Sequence, residues 1–135
     1  MPDVTPAPTP DEESAGFWNA LREHRVELQC CVACGRHRFP PMPSCPWCAS
    51  TSREVVASAG EGTVYSWVTV HRAFEPAWAN QVPYTIAVVE LRERCRLLGR
   101  VDTEPSTLEA GLAVAPRFVD HPGWTELRFA PWEVT

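Results

Sequence analysis

The sequence predicts a mainly β protein in which an N-terminal helix precedes a metal-binding ribbon and a five-stranded barrel of the OB type. Three observations in the 135 residues support this prediction. Two Cys-x-x-Cys pairs stand ten residues apart, short apolar segments separated by turn residues follow them, and an amphipathic segment precedes them. A chain of this length accommodates one domain with a small appendage.

Residues 1–10 are predicted to form a disordered tail, because four of them are proline and most of the others are small. A helix is assigned to residues 11–25. Its start is expected at Thr9, which would be the N-cap residue, with Pro10 at the first helical position and Glu12 three residues after the cap. His24, near the helix end, is expected to interact with the helix dipole.

The predicted helix carries an apolar face formed by Phe17, Trp18 and Leu21. A helix this short is marginal in water on its own. Its apolar face must therefore dock, either on the rest of this chain or on a partner protein.

The cysteine pairs predict a metal site within a ribbon assigned to residues 26–52. Thiolates at this spacing form the tetrahedral four-sulfur cage of a structural zinc ion, and Gly35 frees the backbone to turn around it. All four positions are filled by sulfur, so no site remains for a catalytic water. Two disulfides or an iron centre are the alternatives, and we favour zinc. The proposed ligands are Cys31, Cys34, Cys45 and Cys48.

The barrel is assigned to residues 53–135. Its first strand is expected to be one long strand, 54–70, bent at Gly60 and Gly62. The four later strands are predicted at Tyr84–Leu91, Cys95–Val101, Ala113–Val119 and Trp124–Phe129. One longer connection, 102–111, separates the third and fourth strands. This count fits a small Greek-key barrel of the OB type.

Composition and motifs exclude several function classes. The formal charge is −5 and all twelve basic residues are arginine, which argues against general binding to nucleic-acid phosphates. No signal peptide or membrane-spanning apolar run is present, so we expect a cytoplasmic protein. No nucleophile elbow or phosphate loop occurs, and Cys95 is interpreted as a buried apolar residue. The pattern indicates a non-catalytic protein.

Large aromatic residues in a long loop indicate a contact surface. This loop and the strand after it contain His71, Arg72, Phe74, Trp78 and Tyr84, a composition typical of interface hot spots. Packing of the loop over the open end of the barrel is the alternative. Tyr65 and Trp67 are expected to alternate on one face of the first strand, as a ligand face or as ordinary barrel core.

The whole chain after the tail resembles the family that combines a rubredoxin-like zinc ribbon with an OB fold, long catalogued as a domain of unknown function. The residues that carry the resemblance lie in both halves: Phe17-Trp18, Leu28-Gln29, Cys31-x-x-Cys34-Gly35, Phe39-Pro40-Pro41, Cys45-Pro46-x-Cys48, Gly62-Thr63-Val64-Tyr65-Ser66, His71-Arg72, Pro83-Tyr84 and Leu98-Gly99. Cys30 departs from the arginine common in the family.

The resemblance implies an accessory subunit of a thiolase-like acyl-CoA enzyme, such as a thiolase, an acyltransferase or a steroid side-chain retro-aldolase. It implies a hetero-oligomer with a CoA thioester at or near the interface. By position, Phe17, Trp18, Phe39 and Pro40 would lie near the partner, and Tyr65, His71, Arg72 and Phe74 near the interface or the CoA tunnel. Two other functions remain open: single-stranded nucleic-acid binding on the OB face, and direct CoA binding with acyl chemistry of its own.

Overall fold

The computed structural model describes residues 5–132. One helix and eight strands follow one another along the chain: α1 (Ala15–Arg22), β1 (Val26–Cys31), β2 (His37–Arg38), β3 (Arg53–Ser58), β4 (Gly62–Val70), β5 (Tyr84–Leu91), β6 (Arg96–Val101), β7 (Ala113–His121) and β8 (Trp124–Pro131). Short 3-10 turns at Pro76–Trp78 and Pro105–Thr107 interrupt two loops. Within 5–132, no helix has the length and apolarity needed to cross a membrane.

The barrel closes in the order β4-β5-β6-β8-β7, and this confirms the predicted five-stranded OB architecture. Neighbouring strands are antiparallel except β6 and β8, which run parallel. Gly62 allows β4 and β5 to approach closely, since a Cβ atom there would lie 2.2 Å from the Glu90 carbonyl oxygen. Gly99 likewise makes room for the ring of Phe129, which would stand 2.7 Å from a Cβ atom.

The prediction of one long first strand is wrong, because its two halves belong to different sheets. β3 pairs along its whole length with β1, from Val26 opposite Ser58 to Cys31 opposite Arg53, in a sheet of order β2-β1-β3. Gly60, with φ +70, lies where the chain crosses from this sheet into the barrel. Turn residues mark where a strand is interrupted, but they do not specify the strand with which each half pairs.

Helix α1 begins later than predicted. Asp11 and Ser14 close a turn on each other: the Ser14 amide donates to the Asp11 carboxylate at 2.8 Å, and the Asp11 amide donates to the Ser14 hydroxyl at 3.0 Å. This reciprocal pairing has the form of a helix-capping box, and the Ala15 amide donates to the Asp11 carbonyl at 2.9 Å. The chain therefore turns into the helix after Asp11, two residues later than expected, and the regular helix runs from Ala15. Residues 1–4 of the predicted tail lie outside the described residues, and Thr5 is buried beside Gln81.

One continuous core joins the helix, the ribbon sheet and the barrel. Phe17, Leu21, Val26 and Leu28 pack in the same cluster as the inward-facing residues of all five barrel strands. His24 lies in the turn that ends the helix, where its φ is +58 and its amide donates to the Leu21 carbonyl at 2.9 Å. Its imidazole hydrogen-bonds the Asp120 carboxylate at 2.9 Å and stacks on Phe118. The apolar face of α1 therefore docks on its own chain.

Candidate metal centre and partner surface

The two cysteine pairs are built by the same backbone turn, used twice. After the first pair, the Gly35 amide donates to the Cys31 carbonyl; after the second, the Ala49 amide donates to the Cys45 carbonyl, both at 2.8 Å. Gly35 and Ala49 both have positive φ, +78 and +65. Ala49 adopts this conformation despite its Cβ atom, a modest strain that the surrounding turn imposes.

The turns bring four sulfur atoms together. The sulfurs of Cys31, Cys34, Cys45 and Cys48 all lie within 4.8 Å of one another. Two of these separations, Cys31 to Cys48 and Cys34 to Cys45, are 3.6 Å, close to the roughly 3.8 Å edge of a tetrahedral zinc–sulfur site with bonds of about 2.3 Å. They are too long for disulfide bonds, and all six cysteines are free.

Within the sulfur cluster, the backbone favours the thiolate form of Cys31, whereas hydrogen bonds with the neighbouring sulfurs and burial raise the pKa of the Cys34 thiol, and that of Cys48 to about 11. The backbone amide of Cys34 donates towards the sulfur of Cys31 and lowers the pKa of that thiol to about 6. A thiolate is the form that binds metal. Cys30 points away from the cluster, towards the Gly35 carbonyl at 3.6 Å. The four sulfurs thus satisfy the donor set and geometry of a structural metal site.

The aromatic residues assigned to the partner on the helix and ribbon lie largely inside the fold. Phe17 is buried and packs on Phe39, with ring centroids 5.1 Å apart. Trp18 packs edge-on against Trp124 of β8 at 6.2 Å. These rings join the helix to the ribbon and the barrel, and their burial leaves Phe17 inaccessible to a partner. Pro40, next to Phe39, is exposed.

The residues assigned to the interface on the barrel are far more accessible. Phe74 is 82% exposed and Tyr65 is 52% exposed, and His71 and Arg72 are exposed as well. Arg72 lies over the Phe74 ring, with its guanidinium carbon 5.1 Å from the ring centroid. Trp78 and Tyr84 are half-buried and pack on each other at 5.4 Å. Most of the loop surface is therefore open to solvent.

Tyr65 and Trp67 do not share a face, contrary to the expectation from their alternation. A β-bulge between Val64 and Ser66 makes Tyr65 an extra residue on β4. Tyr65 lies on the outer face beneath Arg96, at 3.7 Å, whereas Trp67 stands opposite the buried Ala87. Trp67 is still 40% exposed, so neither residue is ordinary barrel core.

Sequence reasoning missed four residues on the outer face of the barrel, namely Val68, Arg96, Leu98 and Arg100. Val68 is 58% exposed and Leu98 is 66% exposed. The sequence did carry a signal for this outer face in β5, the strand between β4 and β6. The segment Tyr84–Leu91 is apolar at almost every position, a pattern typical of strands covered on both faces.

Comparisons with known proteins match both halves of the chain. Residues 18–53 match the model described as "ChsH2, rubredoxin-like zinc ribbon domain", and residues 55–119 match "ChsH2, C-terminal OB-fold domain". A "DUF35 domain-containing scaffold protein" of Methanocaldococcus jannaschii is 37% identical over 75% of this chain and 73% of its own length. The chain belongs to the DUF35 family.

Two further matches are to proteins whose names describe an enzyme subunit and a two-protein enzyme. The "3-oxo-4,17-pregnadiene-20-carboxyl-CoA hydratase alpha subunit" of Mycobacterium tuberculosis is 33% identical over 98% of this chain, which spans only 42% of that relative's length. A chain of the solved structure "Ltp2-ChsH2(DUF35) aldolase" is 34% identical, with a TM-score of 0.82, over 93% of this chain and 98% of that one. The family's fold, ribbon followed by barrel, is that of the present structure.

Proposed function

We propose that this DUF35 protein is a non-catalytic accessory subunit that binds and stabilises a thiolase-like acyl-CoA enzyme, with a steroid side-chain retro-aldolase as the favoured partner. The observation that carries the proposal is the likeness to a chain of the Ltp2-ChsH2(DUF35) aldolase, because it extends over nearly the full length of both chains. The complex would be a cytoplasmic hetero-oligomer, with the CoA thioester at or near the interface.

The side chains of this protein support a non-catalytic role. Burial, together with the nearby carboxylate of Glu93, raises the pKa of the Cys95 thiol to about 11. Cys95 is therefore a poor nucleophile at neutral pH. Four other thiols, those of the sulfur cluster, would be occupied by the metal.

Zinc is the proposed metal, held by Cys31, Cys34, Cys45 and Cys48. A four-sulfur site has no open coordination position, so the ion would shape the two cysteine turns and take no part in bond breaking. Zinc measured by plasma emission at one equivalent per chain, without the visible absorbance of an iron–sulfur site, would support this assignment. Iron at one equivalent would contradict it.

Co-expression tests the proposed role. A tagged form of this chain is produced together with the thiolase-like enzyme encoded in its genomic neighbourhood, and each is also produced alone. We expect a stable complex by native mass spectrometry and acyl-CoA activity that requires both chains. A thiolase-like enzyme that is soluble and fully active alone would contradict the proposal.

Calorimetric titration of the isolated chain distinguishes the alternatives. We expect no heat from CoA and none from a single-stranded oligonucleotide at low salt. Saturable CoA binding would favour a chain that handles acyl-CoA itself, and saturable oligonucleotide binding would favour the nucleic-acid function of other OB folds.

A further inference from the structure

Strand β5 carries apolar side chains on both faces. Its inward residues, Thr85, Ala87, Val89 and Leu91, are all buried. Its outward residues include Tyr84, Ile86 and Val88, which are only half-buried. An antiparallel strand with one face in water normally alternates apolar and polar residues, whereas a strand apolar on both faces is typically covered on both. The outer face of β5 thus has the composition of a covered surface.

The neighbouring strands extend this apolar surface. Val68 of β4 stands opposite Ile86, and Leu98 of β6 stands opposite Val88. Val68 and Leu98 are 58% and 66% exposed. We use the term β4–β6 face for this outer surface, formed by Tyr65, Val68, Ile86, Val88, Arg96, Leu98 and Arg100.

The opposite side of the barrel shows how such a surface is covered within the chain. There, Trp124 on the outer face of β8 packs against Trp18 of α1, and His24 packs on Phe118 of β7. Helix α1 thus covers β8 at Trp124, whereas within residues 5–132 no α-helix, and no strand outside the barrel, makes extensive contact with β5 or β6. The loop before β5 does reach one end of the β4–β6 face, where Trp78 packs on Tyr84.

Two arginines give the β4–β6 face a positive charge. Arg96 lies over Tyr65 at 3.7 Å, and Arg100 lies over Tyr84 at 5.1 Å. Neither is within ion-pair distance of a carboxylate among the described residues, including Glu90 opposite Arg96. Stacking holds a guanidinium by its plane, so the N–H edge of Arg96 stays available to a carboxylate, whereas Arg100 already donates to the Gln81 side-chain oxygen at 2.7 Å and can offer only its remaining N–H groups. On a chain of formal charge −5, this is a localised basic site.

A groove at one end of this face is large enough to hold one large apolar side chain of a partner protein. Its volume is about 310 Å³, and it is lined by Trp78, Tyr84, Ile86, Leu98 and Arg100 and also by Glu126, whose carboxylate is paired with Arg128 at 3.0 Å. Buried aromatic or aliphatic anchors beside arginine are the residues that contribute most to protein–protein binding.

We propose that the β4–β6 face is where the larger enzyme docks, and that the enzyme presents an acidic surface with one large apolar side chain for the groove. This inference rests on the proposed function and identifies the surface that performs it. The carboxylates would pair with Arg96 and Arg100, and the anchor would fill the groove beside Leu98. A second copy docked through the same face would set Arg96 and Arg100 against the same two arginines, so charge complementarity favours a different occupant.

Two substitutions test the face, each with a matched control. Leu98→Ser and Arg96→Gln remove an exposed apolar and an exposed basic side chain. Val55→Ser and Arg36→Gln do the same on the ribbon, where Val55 is 60% exposed and Arg36 stacks on Trp47 at 5.2 Å. Affinity for the co-purified thiolase-like enzyme is measured by surface plasmon resonance between 50 and 300 mM salt, about the range over which the screening length halves.

We expect Leu98→Ser and Arg96→Gln each to weaken binding at least about tenfold. Arg96→Gln should also flatten the salt dependence, while the control variants bind within about twofold of the native chain. Circular dichroism and metal content verify that each variant is folded.

Normal binding by both face variants, with loss in a ribbon variant, would overturn the inference while leaving the accessory role intact. Failure of the native chain to bind any thiolase-like enzyme would overturn the proposed function and this inference with it. Self-association of the native chain in sedimentation, abolished by Leu98→Ser, would assign the face to a second copy and also overturn the inference.

Discussion

Two sets of aromatic side chains in this protein have similar composition and opposite surroundings. The junction set, Phe17, Trp18, Phe39 and Trp124, joins helix, ribbon and barrel through ring contacts between 5.1 and 6.2 Å. The barrel set, Tyr65, Phe74 and Tyr84, is covered mainly by arginine side chains and faces solvent to varying extents. The difference shows that residue type alone does not distinguish a structural aromatic from one available to a partner.

The comparison predicts that removal of a ring from each set has a different consequence. Loss of a junction ring should reduce the free energy of unfolding, because it opens a cavity in a continuous core. Loss of a barrel ring should leave folding unchanged and reduce partner binding. The predictions below test this division, beginning with the largest expected effect.

Removal of the metal should loosen the junction set and spare the barrel set. Phe39 lies on the segment between the two cysteine turns, so its position against Phe17 depends on the folded turns. Binding of a structural zinc supplies on the order of 10 kcal/mol of apparent folding free energy in small modules. In Cys45→Ser, we expect amide exchange to become fast over 31–50 and to stay slow in β5 and β6.

Native metal content in Cys45→Ser would contradict the assignment of this ligand. Loss of slow exchange in β5 and β6 as well would show that the barrel does not fold without the metal-bound turns. Cys30→Ser is the matched control, because Cys30 points away from the cluster, and it should retain both metal and exchange protection.

Truncation of one ring in each set gives the next largest effect. Phe17 is 9% exposed and Phe74 is 82% exposed. We expect Phe17→Ala to lower the free energy of unfolding by about 3 kcal/mol and Phe74→Ala to change it by less than about 0.5 kcal/mol. Urea titration followed by circular dichroism measures both values. Equal losses of unfolding free energy in Phe17→Ala and Phe74→Ala would show that the two sets contribute equally to the stability of the fold.

The smallest effect concerns acid stability at the end of the helix. A hydrogen bond from His24, and a second from Thr125, lower the pKa of Asp120 below its ordinary value of 3.8. A depressed carboxyl pKa contributes stability above the unfolded-state pKa, and this contribution is lost as the pH falls through the folded-state pKa. The loss is therefore expected below about pH 4.

Asp120→Asn should accordingly be slightly less stable than the native chain near neutral pH, and the difference should vanish in acid. Thermal unfolding at pH 6 and at pH 3 measures it. A difference that grows on acidification would show that the Asp120 carboxylate does not stabilise the fold. Glu109→Gln, at an exposed carboxylate that forms no ion pair among the described residues, provides a control for the loss of one negative charge.

Features that depend on local spacing were predictable from sequence. The cysteine spacing predicts the sulfur cluster, and the turn residues predict four of the barrel strands to within a few residues and the OB order of five. Features that depend on contacts between distant parts of the chain could not be predicted from the sequence. The pairing of β3 with β1 depends on which strand lies nearby in the fold. The bulge at Tyr65 places Tyr65 and Trp67 on different faces of β4, although their spacing in the sequence predicts a shared face.

The start of α1 and the role of His24 show the same limit at smaller scale. The helix is expected to begin at Thr9, but the reciprocal hydrogen bonds of Asp11 with Ser14 place its cap at Asp11. His24 has the position of a helix cap, but Asp120, which binds it, lies ninety-six residues away in sequence. Contacts of this kind follow only from the assembled fold.

Hydroxyl-radical footprinting of the complex with the thiolase-like enzyme tests the central claim most directly, because it reports side-chain accessibility residue by residue. The account predicts that the partner reduces labelling of Tyr65 and Leu98 and leaves Trp47, which is 52% exposed on the ribbon, labelled as in the free chain. Protection of Trp47 with unchanged labelling of Tyr65 and Leu98 would contradict it.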